Sequence, residues 1–147
     1  MGQCVRLQDG TFAQLSLFVD TSVWSLAFRR DAPTPSGEVR ELVRALGAGD
    51  AIIVTGLVLQ ELLQGFSGPK HRRLIIERFA ALPLIAPDRN DHIEAAEMRN
   101  RCRRAGIQIG TIDAIFARLC VRHDLTMLAA DNDFRNMAKI CGLKVWS

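Results

Sequence analysis

Apolar and polar residues follow one another in short blocks along this chain, and the period changes from block to block. Residues 15–19 (LSLFV) are an apolar run broken by Asp20-Thr21-Ser22, which predicts a strand followed by a loop. Ser36 offers an N-cap ahead of Val39, Leu42, Val43 and Leu46, whose i, i+3, i+4, i+7 spacing is helical; Gly47 and Gly49 predict its end. Residues 51–54 read as a buried strand, and Thr55 as the cap of a helix carrying Val58, Leu59, Leu62 and Phe66. Pro69 predicts the start of a helix running to residue 82, with Leu74, Ile75, Phe79 and Leu82 inward. Residues 84–86 form a brief strand between two prolines. Over residues 89–105, Ala95, Met98, Cys102 and Ala105 mark a helix closed by Gly106. Thr111 reads as the cap of the next, striped by Ile112, Ile115, Phe116 and Leu119. A strand over 125–129, a short helix over 134–140 and a last strand over 143–146 complete the series.

Strands that are apolar throughout and alternate with helices predict a mainly parallel sheet covered on both faces, a three-layer α/β/α fold. The length of 147 residues fits one domain over residues 15–147, and residues 1–14 form an N-terminal extension with no role assigned. With 48% hydrophobic and 24% charged residues, the composition is that of a folded globular domain, not of a disordered chain. No apolar run approaches the length of a membrane span, and residues 1–14 carry one basic residue, Arg6, with no apolar signal core. The expected compartment is the cytoplasm, with no membrane partner. The four cysteines (Cys4, Cys102, Cys120, Cys141) form no C-x-x-C pair, and three fall on apolar helix faces, so they read as reduced thiols.

The net charge of +3 is compatible with a polyanionic partner without requiring one. Basic residues crowd two segments, His71-Arg72-Arg73 and the run Arg99, Arg101, Arg103, Arg104; such runs are commonly solvated helix faces. The acids are more informative. In a parallel sheet, ligands bind beyond the carboxyl ends of the strands. Asp20 directly follows the first strand and Asp131 follows the strand at 125–130, while Asp113 lies in the first turn of its helix. Glu61 projects from the edge of its helix's apolar stripe. Asp113 shares a face with Ala117 and Cys120, away from Arg118 and Arg122. Each acid has an ordinary explanation in helix-dipole or turn chemistry. Together, from four different elements, they predict a carboxylate cluster at one sheet edge. Oxygen-only ligation suits Mg²⁺ or Mn²⁺, and the three histidines (His71, His92, His123) show no ligand-like spacing.

Four segments resemble the motifs of PIN-domain nucleases. They are Asp20-Thr21-Ser22-Val23-Trp24 after the first strand, the segment from Thr55 through Glu61 to Gly65, Thr111-Ile112-Asp113-Ala114, and Ala130-Asp131-Asn132-Asp133-Phe134. Within that family the chain is similar to the VapC-type ribonuclease toxins of bacterial toxin–antitoxin pairs, from about residue 17 to the C-terminus. The resemblance implies that Asp20, Glu61, Asp113 and Asp131 bind metal. Asp133 is a fifth acid competing for the last position, and Ser22 and Thr111 are supporting residues. It also implies Mg²⁺- or Mn²⁺-dependent endonucleolytic hydrolysis of RNA (tRNA, rRNA or mRNA), a homodimer, and a VapB-type antitoxin partner. Arg72, Arg73, Arg101 and Arg104 are then expected to touch the RNA backbone. Two alternatives stay open: a PIN-type nuclease of RNA processing, and a non-catalytic interaction domain whose acids serve as caps and turns. A phosphatase of the haloacid-dehalogenase kind would want an acid where Ser22 stands.

Overall fold

The computed structural model describes residues 4–6, 12–14, 16–29 and 35–147, the first two stretches by their backbone alone. Those two are strands β1 (Cys4–Arg6) and β2 (Phe12–Gln14), an antiparallel pair apart from the main sheet, in the segment given no role above.

The main sheet has five parallel strands: β3 (Leu17–Val19), β4 (Ile52–Thr55), β5 (Leu84–Ile85), β6 (Thr126–Leu128) and β7 (Lys144–Val145). Their order is β5-β4-β3-β6-β7, so the chain builds outward from β3 in one direction and then crosses back to build in the other. Right-handed crossovers therefore place the helices between β3 and β5 on one face and those between β5 and β7 on the opposite face. The predicted three-layer α/β/α fold is the observed one. β3 is central, and Leu17, Phe18 and Val19 are all buried, as a strand covered on both faces requires. Phe18 packs on Phe116 of the second helix after β5, ring centroids 5.2 Å apart; pleating sends Leu17 and Val19 to the other layer.

That first layer holds α1 (Thr21–Phe28), α2 (Gly37–Ala48), α3 (Gly56–Gly65) and α4 (Pro69–Ala80). An aromatic seam fastens it, with Trp24 4.8 Å from Phe79 and Phe28 6.1 Å from Phe66. The second layer holds α5 (Arg89–Arg104), α6 (Thr111–Arg122) and α7 (Asp133–Ala138). α5 and α6 run antiparallel: the start of α5 meets the end of α6 through Asp91 with Arg118 and Arg122, and its far end meets the α6 entry through Arg99 and Ile109.

Several local expectations need correction. The segment after the first strand is not a loop: α1 starts at once, because the Asp20 side chain caps it by accepting the Ser22 N–H. Gly47 lies inside α2, and Gly49 ends it in the left-handed conformation (φ 72°). Val43, Leu74 and Ile112, expected inward, are exposed at 61%, 45% and 40%, and Ala105 is also exposed. Each lies at the edge of its helix's stripe, where the position of the neighbouring helix decides burial. Gly110, not Thr111, is the N-cap of α6, with no side-chain cap bond. Cys102 and Cys120 are buried helix residues, while Cys141 is buried just beyond α7. Among the described residues, no helix is long and apolar enough to cross a membrane.

Candidate active site

The strand order reverses between β3 and β6, and their carboxyl ends flank the crevice where ligands of doubly wound sheets bind. Asp20 closes β3 there, its N–H donating to Leu128 O of β6 at 2.9 Å. Its carboxylate is buried and held by Ser22, whose N–H (3.1 Å) and Oγ (2.5 Å) both donate to Oδ2. The Ser22 Oγ also accepts the Ala130 N–H at 3.1 Å, so one hydroxyl ties the first acid to the chain end beyond β6. Burial pushes the Asp20 pKa up, opposed by the Ser22 hydrogen bonds and reinforced by the charge of Asp131.

Glu61 projects from α3, half-buried, and accepts the Thr21 Oγ1 proton at 2.9 Å. The first turn of α1 thus supplies two adjacent hydroxyls, one for each of two acids contributed by different elements. Thr21 was not singled out from sequence, because its partner lies forty residues away. Asp131 and Asp133 are exposed where β6 gives way to α7, and Asp131 Oδ1 accepts the Asp133 N–H at 3.1 Å. This is the self-bonding turn that an Asp two residues upstream of an N–H makes readily.

Asp113, half-buried on α6, feels all of these groups. Its pKa is raised from 3.8 to about 6, first by desolvation and then by the charges of Asp20, Asp131, Asp133 and Glu61, in that order. The arginines of its own helix do not relieve it. Arg118 donates to Asp91 Oδ1 at 3.0 Å and Arg122 to Oδ2 at 2.5 Å. Asp91 is a fully buried carboxylate that sequence reading passed over. Burial alone would raise its pKa, but the Asp88 N–H, Arg118 and Arg122 outweigh that and hold it below the usual value. It serves structure: it completes a capping box with Asp88 and joins α5 to α6.

The structure therefore brings Asp20, Glu61, Asp113, Asp131 and Asp133 into one electrostatic neighbourhood. The side chains of Asp20, Glu61 and Asp131 rest on local hydrogen-bond donors, and no group of three among the described residues is arranged to hold a metal ion. The donor set nevertheless fits a hard divalent cation, being all oxygen, with a mutual repulsion that a cation would relieve. Thr111 is exposed on the cleft between α5 and α6, apart from the acids, whereas Ser22 is at the centre of the site. Arg101 and Arg104 are exposed near the α6 entry, at the Asp113 end of the α5–α6 pair, whereas Arg72 and Arg73 are exposed on α4.

A doubly wound α/β sheet with an oxygen-only acidic crevice at its switch point defines the class. The chain belongs to the PIN domain family, the nuclease family its four motifs resemble: the PIN domain profile matches residues 17–140. Its fold is similar to VapBC2 from Rickettsia felis, solved bound to a DNA fragment from their promoter (17% identity, 90% of this chain and 98% of that chain, TM-score 0.70). It is similar also to VapBC-1 from nontypeable Haemophilus influenzae (15% identity, 90% and 98%, TM-score 0.69). A third similar structure is VapC20 of Mycobacterium tuberculosis, a sarcin-ricin loop cleaving toxin (18% identity, 88% and 99%, TM-score 0.65). At these identities the likeness is one of fold. No curated protein sequence matches.

Proposed function

We propose that the protein is a divalent-metal-dependent endoribonuclease and the toxin of a toxin–antitoxin pair. The observation that carries the reading is Asp113, a half-buried carboxyl whose charged neighbours are four further acids at the sheet's switch point. Asp20, Glu61, Asp113 and Asp131 would hold Mg²⁺ or Mn²⁺. Asp131 follows the β6 end and Asp133 stands beside it as a fifth acid. Such an ion, when bound, lowers the pKa of water and offsets charge on a phosphoryl oxygen. The chain's own part is placement. Ser22 fixes Asp20 against the end of β6, Thr21 fixes Glu61, and Asp113 adds a carboxyl that burial and the neighbouring acids hold above the usual carboxylate range. The arginines near the α6 entry supply positive charge for an RNA backbone beside the acids.

The toxin assignment draws on the VapBC folds, and a VapB-type antitoxin and a homodimer belong to the same proposal. The test is RNA cleavage by the purified protein with Mn²⁺, with chelator, and with Asp20→Asn. Cleavage that needs Mn²⁺ and is lost in the variant is the expected result; chelator-insensitive cleavage, or a fully active variant, overturns the reading. Growth arrest on expression, relieved by a co-expressed antitoxin, is expected of a toxin and not of an RNA-processing nuclease.

A further inference from the structure

α5 and α6 do not close completely along their antiparallel contact. Between them lies a cleft of about 200 Å³ with a floor of small and apolar residues, Ala95, Ala96, Ala114 and Ile115. Its polar wall is formed by His92, Arg99, Asn100 and Thr111. A smaller cavity of about 100 Å³ shares Arg99 and adds Arg103 and Gln108, so the two form one groove around the α6 entry. Arg99 is fixed there by its Nε bond to Ile109 O at 2.9 Å. Thr111, Ala114 and Ile115 lie on the side of α6 that faces α5, and Asp113 lies on the opposite side. The groove and the acidic crevice therefore flank the first turn of α6 one helix diameter (~10 Å) apart, within reach of an RNA strand that crosses the α6 entry.

Charge separates this groove from the two described cavities along α4. The described walls of both α5–α6 cavities contain no acid, whereas the two cavities along α4, including the one lined by Arg72 and Arg73, each contain Glu77. The larger volume is below the range that encloses a whole drug-sized ligand and suits one flat group. No Phe, Tyr or Trp lines it, so a base would lie against alanine and isoleucine beside the His92 ring and be read at its edge by Asn100 and Thr111.

We propose that the α5–α6 cleft is a nucleotide subsite. One nucleotide of the RNA strand flanking the cleaved bond places its base between the two helices and its phosphate against Arg99 and Arg103. The proposal rests on the ribonuclease reading above and moves the main RNA contact of α5 from Arg101 and Arg104 to residues of this groove.

The test is anisotropy of a fluorescein-labelled single-stranded RNA octamer in chelator, where binding is read without cleavage. Ala96→Phe fills the cleft from an exposed helix position and is expected to weaken binding about tenfold, the scale of one lost base contact, with an unchanged melting temperature. Arg103→Gln, a surface substitution, is expected to weaken binding and flatten the salt dependence by about 0.7 in the log–log slope. Arg78→Gln on α4, with the same loss of charge, should do neither. If wild type binds and both Ala96→Phe and Arg103→Gln bind equally well, the subsite is overturned and the ribonuclease reading stands. If the wild type binds no RNA, both fall.

Discussion

Asp113→Asn should make the metal-free protein more stable while removing its activity. The carboxyl's pKa rises from 3.8 to about 6 on folding, about 3 kcal/mol at 1.36 kcal/mol per unit. The group is only half-buried, so solvent screening reduces this, and about 1–2 kcal/mol is the expected cost of its charge in the folded state. The direction of the pH dependence follows from the sign. A folded pKa above the unfolded one means that protonation favours the folded state. The associated stability is complete below pH 3.8 and is lost as pH rises through about 6. The amide cannot ionise, so its advantage is near zero at pH 4 and full above pH 6. For a domain of this size, that gain corresponds to a melting temperature about 3–6 °C higher. The assay is thermal unfolding in chelator across pH 4–8, repeated with saturating Mn²⁺. Binding stabilises the wild type, and the variant, short of one ligand, gains less. A variant no more stable than wild type at pH 7.5 in chelator would refute the reasoning. So would a gain that is undiminished at pH 4, since it could not then come from the charge.

Other outcomes follow from the hydrogen bonds. Thr21→Val releases Glu61 and should weaken Mn²⁺ binding roughly five- to tenfold by calorimetric titration, with Thr21→Ser close to wild type. Ser22→Ala removes the donor to Asp20 and the acceptor for the Ala130 N–H, and should cost about 1–2 kcal/mol in urea unfolding together with most of the cleavage rate. Asp91→Ala leaves Arg118 and Arg122 facing each other without their carboxylate and breaks the capping box. About 3 kcal/mol of stability should be lost, whereas Mn²⁺ affinity per folded molecule is expected to hold.

The parallel sheet was legible because its strands are buried on both faces and are apolar at nearly every position, as Leu17-Phe18-Val19 shows. The acids at strand ends were legible for a related reason, since topology alone sends Asp20 and Asp131 to the same edge. α1 was not. Asp20-Thr21-Ser22 is turn chemistry by composition, and only the Ser22 N–H on the Asp20 carboxylate shows that the turn is a helix cap. The stripe edges at Val43, Leu74 and Ile112 were misplaced because periodicity gives the centre of a buried face and not its width. Arg118 and Arg122 could be placed away from Asp113 by helical geometry, but their destination, Asp91, lies on another helix in a charge-rich segment with no distinguishing pattern. Thr21 and Glu61 meet only in the folded chain.

Asp20 has two duties that different replacements separate. Its carboxylate caps α1 and also belongs to the acidic crevice. Asparagine caps a helix about as well as aspartate, whereas alanine does not. An alanine scan would therefore score position 20 for helix entry and for chemistry together, and an inactive alanine variant could simply be misfolded. In a pooled survey of all substitutions, Asn and Ser at this position should keep the protein abundant but silent, while Ala, Val and Leu deplete it. The contrast between those groups reports how much of the intolerance at position 20 belongs to the fold.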